Sequence, residues 1–264
     1  NTVGNFNVAL GSSALFANVA GSDNVAVGKA ALTNNTVNGN VAVGANALAL
    51  NEGGNNNVGV GTSALLANVA GQDNVAVGSI ALTANNASRN VAVGSGALSA
   101  NETGDNNVGV GNSALLANVA GSNNVAVGES ALTASNGSFN VGVGANALNF
   151  NETGTNNVGV GRSALSSNVT GSNNVAVGSR ALIRNDVSSN VAVGSSALSS
   201  NETGTSNVAV GTSALFTNVT GSNNVAVGDS SLLDNTRANN VAVGSGALSA
   251  NETGAGNVAI GSST

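Results

Sequence analysis

The stretch Asn74–Arg89, NVAVGSIALTANNASR, decides how this chain folds. A Val-Ala-Val triplet is followed by Gly78, then by Ala81-Leu82, then by a polar run rich in Asn and Ser. In a strand successive side chains point to opposite faces, so Val75 and Val77 share one face and Ala76 takes the other. The middle position reads Gly59, Ala76, Ala92, Gly109, Ala126 and Gly142 along the chain and never grows larger than Ala. A half-solvated strand would carry Thr, Lys or Glu there. Unbroken Ala or Gly instead requires a second layer of chain close against that face. The valine face is left to pack on something else.

The Asn-Val opening recurs along the whole chain, at Asn7, Asn24, Asn40, Asn57, Asn74 and onward to Asn257, in steps of 17, 16 and 17 residues that repeat every 50. Such a short period marks a solenoid, in which each unit buries its apolar residues only against its neighbours. Leu65, Leu82 and Leu98 form a second apolar row, and the Gly that follows each valine pair, such as Gly78 and Gly128, fits a corner needing positive φ or close packing. The polar returns, TGSNN and NETG among them, carry turn chemistry, because Asn and Gly tolerate the left-handed region. A helix is the losing alternative: Gly in nearly every turn would cost about 1 kcal/mol each.

The sequence therefore predicts an all-β, parallel β-solenoid or β-roll with 16–17-residue rungs and a 50-residue three-rung super-repeat. Residues 1–264 read as one continuous array, without an internal domain boundary and as a segment of a longer secreted protein. At a spacing of about 4.8 Å, one rung per Asn-Val start gives a rod on the order of 75 Å. The Asn that opens each unit would then sit above its counterpart and form an amide ladder, as in cross-β stacks.

Composition excludes much of the rest. The chain has no Pro, Cys, Met, Trp, Tyr or His, five Phe, and 7% charged residues, with a formal charge of -6. Six scattered basic residues offer no footprint for nucleic acid. Gly and Asn interrupt every apolar run well before the roughly 18 residues of a spanning helix, so no membrane insertion is expected of this segment. Without His or Cys there is no Ser-His-Asp triad, cysteine nucleophile or thiolate zinc site. Glu52, Glu102, Glu152, Glu202 and Glu252 recur every third rung, roughly 14 Å apart, too far for paired glycosidase carboxylates. Asp23 and Asp73 become Asn123, Asn173 and Asn223 in later repeats, so no carboxylate ladder exists for calcium. The Gly-rich strings lack the Lys-Ser/Thr of a phosphate loop. No catalytic residue, cofactor or metal is assigned, and the Arg residues 89, 162, 180, 184 and 237 are read as a solvated edge. Asn101, Asn151, Asn201 and Asn251 each head Asn-Glu-Thr, and Asn168 and Asn218 head Asn-Val-Thr, which are acceptor patterns for glycosylation.

The string NVAIGSS at Asn257–Ser263, with NVAVGSGA at Asn90–Ala97 and Asn240–Ala247, resembles the repeat motif of the head domain of YadA-like trimeric autotransporter adhesins. It is similar as well to arrays in phage tail fibres and other long surface proteins. The resemblance covers essentially the whole chain. It implies a left-handed parallel β-roll and a homotrimer in which Val75 and Val77, or Val125 and Val127, pack on a common axis beside the Gly78 and Gly128 corners. The rung here is longer than is usual in that family, and Leu follows Ala where the family commonly has a small polar residue.

Three functions are weighed. The first is a non-enzymatic extracellular rod on a cell or virion surface, a shaft or head of an adhesin or fibre that meets host surface or matrix ligands through many weak contacts. The second is a subunit of an end-to-end extracellular filament, since rung edges with unpaired backbone invite stacking. The third is an ice- or carbohydrate-binding solenoid, disfavoured because no Thr column runs through consecutive rungs.

Overall fold

A computed structural model describes residues 4–264. Every named element among them is a three-residue strand. The chain divides into two compact units, Asn1–Asn136 and Gly137–Thr264. The first holds β1 (Val8–Leu10) through β8 (Val125–Val127), and the second β9 (Val141–Val143) through β16 (Val258–Ile260). Within each unit every strand pairs in parallel with the next and in strict register. In the first, Val58 lies opposite Val75, Gly59 opposite Ala76 and Val60 opposite Val77. In the second, Val158, Gly159 and Val160 meet Val175, Ala176 and Val177 in the same way. Each unit is thus a parallel β-solenoid with the rung that the Asn-Val spacing predicts.

The interior is built from small residues and one large one. Ala76, Ala81 and Leu82 are completely buried, as are Ala176, Ala181 and Leu182 one hundred residues later. The middle strand position stays small because a leucine of the preceding rung lies against it: a Cβ added at Gly59 would come to 3.4 Å from Leu48 Cδ1 and 3.2 Å from the Ala64 carbonyl oxygen. Larger side chains have nowhere to go.

After each strand the backbone alternates between left- and right-handed residues. Gly78 has φ of 141°, Ile80 of 54° and Leu82 of 50°. This alternation aims the N–H groups of the two left-handed residues at opposite neighbours: Ile80 donates back to the Thr62 carbonyl (2.9 Å), and Leu82 donates forward to the Ala97 carbonyl (3.0 Å), while Ala81 between them donates within the rung to the Gly78 carbonyl (3.4 Å). A left-handed leucine costs roughly 1–2 kcal/mol. Full burial of its side chain contributes about 1.5–3 kcal/mol, enough to offset that cost, and the rung-to-rung bonds add to the balance. At Gly78 the requirement is absolute, since a Cβ there would run into the carbonyl oxygen of Gly94.

Candidate functional site: asparagine columns and a valine face

Two columns of asparagine stand inside each solenoid. The first is the Asn that opens each rung. Asn57, Asn74 and Asn90 are fully buried. The Asn57 Oδ1 accepts the backbone N–H of Asn74 at 2.9 Å, and its Nδ2 donates to the Gly71 carbonyl at 2.8 Å. The second unit repeats this, with Asn174 N–H on Asn157 Oδ1 at 2.9 Å. The opening Asn therefore ties side chain to backbone, rather than chiefly amide to amide as expected from stacking alone.

The amide ladder runs along a second column, eleven positions further round the rung. Asn68 Nδ2 donates to Asn51 Oδ1 (2.8 Å), Asn85 Nδ2 to Asn68 Oδ1 (3.0 Å) and Asn101 Nδ2 to Asn85 Oδ1 (2.8 Å). The same Nδ2 atoms also close a turn, as in Asn68 to the Gly71 carbonyl at 2.8 Å. Sequence reading missed this column because it lies in the polar return, where Asn is common. Its signal was present in the constant spacing from the preceding Leu, as in Leu65 to Asn68 and Leu82 to Asn85.

The acceptor-pattern asparagines belong to this second column. Asn101, Asn151, Asn201, Asn168 and Asn218 are fully buried, and Asn251 is half-buried. Asn101 Nδ2 donates to both Asn85 Oδ1 and the Gly104 carbonyl, so a glycan on that nitrogen would have to break the column. The folded rung offers no access to it. Glu52, Glu102, Glu152, Glu202 and Glu252 sit exposed on the turns next to these residues. Among the described residues no three His, Cys, Asp or Glu side chains gather, and no helix is long and apolar enough to cross a membrane.

The valines face outward. Val75 and Val125 are half-buried, and Val77 and Val127 are each 38% exposed. Val177, Val193, Val210, Val227 and Val243 carry the same exposure, 37%, in the second unit. Each unit so displays a flat strip two valines wide over its stacked strands, bordered by the glycine corners of which Gly78 and Gly128 are examples. Soluble monomers rarely leave such a contiguous apolar strip uncovered. These features define a parallel β-solenoid repeat protein with an uncovered valine face. No protein-family model matches the chain, and no curated protein matches it significantly.

Proposed function

We propose that this chain is a non-enzymatic, extracellular repeat shaft of a cell-surface or virion-surface adhesin or fibre, and that its valine face packs against two further copies of itself. The observation that carries the reading is the exposure of Val77, Val127 and their equivalents as a continuous strip over the stacked strands, while the Ala76-type and Leu82-type columns behind it are fully buried. A strip of identical, flat, short side chains suits self-association about an axis, because symmetric copies present the same surface to one another. The likeness of NVAIGSS and NVAVGSGA to adhesin-head repeats supports three copies rather than two. A surface built of repeated turns supports weak, multivalent contact with host or matrix ligands. Sedimentation equilibrium on the purified chain tests the reading: a discrete trimer is expected, and a monomer at high micromolar concentration would overturn it.

A further inference from the structure

Outward turn positions in most rungs carry Ser, Thr, Ala or Asn, but one place in the second unit departs from that pattern. Arg180, Ile183 and Arg184 lie on one rung, Ser196, Ser199 and Ser200 on the next, and Phe216 on the third. In equivalent positions of other super-repeats stand Ser130 for Arg180, Thr133 for Ile183 and Ala134 for Arg184, while Phe216 keeps the large apolar type of Phe16, Leu66 and Leu116, which gives way to Ser only at Ser166. The three substitutions converge beside the Phe216 ring. Together with the three serines they line a single open groove of about 300 Å³, and its lining includes no carboxylate. A chain with only six basic residues and a charge of -6 has placed two of them here.

The three rungs are locked to one another by backbone bonds. Arg184 N–H donates to the Ser199 carbonyl at 3.3 Å, Ser200 N–H to the Phe216 carbonyl at 3.2 Å, and the Ser199 hydroxyl to that same carbonyl at 3.4 Å. Both guanidinium-bearing residues are exposed, and Phe216 is 38% exposed. Arg184 also borders a smaller hollow with Asp186 and Glu202.

We infer that this groove is a binding subsite for an acidic saccharide, one bearing a ring carboxylate or sulfate. A guanidinium fork pairs such an anion through two parallel N–H donors. The Phe216 ring supplies an apolar surface for the C–H face of a pyranose, and the hydroxyls of Ser196 and Ser200 match the sugar hydroxyls. The volume lies at the lower end of ordinary ligand sites and suits one or two sugar rings. The phenyl face and the row of hydroxyls favour a saccharide over an acidic peptide, which would use the arginines alone. The inference extends the adhesive reading by giving it a ligand class. Its test is separate, since the trimer could form while the groove binds nothing.

The experiment is an NMR titration of the full chain with trigalacturonate, with a sulfated trisaccharide, with neutral maltotriose and with triglutamate. Saturable binding of at least one acidic sugar is expected, with maltotriose and triglutamate at least tenfold weaker. Arg180→Ser with Arg184→Ala should weaken that binding at least tenfold, and Phe216→Ser at least threefold. Each replacement is the residue found at an equivalent rung of this chain, so folding is preserved, which the amide spectrum verifies. No saturable binding at millimolar sugar, equal binding of triglutamate, or indifference to the three substitutions would each overturn the inference.

Discussion

Ser135 stands where the second asparagine column calls for an amide, and the Oδ1 of Asn118, one rung earlier, is buried and accepts no hydrogen bond. Every preceding step of that column, from Asn51 through Asn118, hands an Oδ1 to the next Nδ2. The step after Asn118 is broken by a side chain one bond too short. An unpaired buried acceptor costs about 1–3 kcal/mol. Ser135→Asn should restore the donor and raise the unfolding free energy by about 1 kcal/mol in urea denaturation. Asn68→Ala, which removes a donor and an acceptor from an intact part of the same column, should lower it by about 2 kcal/mol or more. Equal effects of the two changes would show that the amide chain is not what holds the turn.

How much of this was legible beforehand differs from column to column. Val75-Ala76-Val77 declared its two faces because a period of two shows even in three residues, and the constant smallness of the middle position announced a covered interior. The first asparagine column was legible as a stack, although its bonds run to backbone. The left-handed Leu82 was not legible, since local propensity opposes it, and only the rung-to-rung bonds on either side hold it there. The groove at Arg180 was invisible for a different reason: Phe216 lies two rungs away in sequence, and only stacking brings it beside the arginines.

The glycines divide into two kinds, and substitution separates them. Gly78→Ala forces a Cβ onto a residue with φ of 141° and against the carbonyl of Gly94, so a loss of about 3 kcal/mol is expected. Gly59→Ala brings a Cβ to 3.2 Å from the Ala64 carbonyl oxygen and 3.4 Å from Leu48, close enough that these neighbours must give by a few tenths of an ångström, at a position where the next rung already carries Ala76. Its cost should stay near about 1 kcal/mol. Thermal unfolding of the two variants checks the contrast.

Ile80 is a β-branched residue held at φ of 54° with 45% of its surface exposed. Asn46 occupies the same rung position with φ of 58°. Asn tolerates that region far better than Ile, and little apolar burial is lost by the exchange. Ile80→Asn should therefore stabilise the first unit by about 1 kcal/mol, read as a higher urea midpoint with an unchanged slope. A lower midpoint would mean that the exposed Ile side chain packs on something in solution.

The valine face offers the sharpest distinction between a lone solenoid and an assembly. Val125→Thr with Val127→Thr keeps shape and strand propensity while placing two hydroxyls on the outward strip of β8. In a lone solenoid these hydroxyls would point to water and cost little, on the order of 0.5 kcal/mol for a surface change. Buried between copies, each would be desolvated without a partner at about 1–3 kcal/mol. Three copies would multiply that penalty, so under the proposed assembly the trimer should dissociate at concentrations where the unaltered chain stays associated. The Ala126 that faces the interior between them provides the control: Ala126→Gly removes one methyl from a fully buried site and should weaken the fold without selectively dissociating copies. Sedimentation velocity reads association and circular dichroism reads folding. Loss of the trimer with the β-signal intact in the double variant, and in the control a lower unfolding temperature with the trimer retained for as long as the β-signal persists, is the expected pair of results.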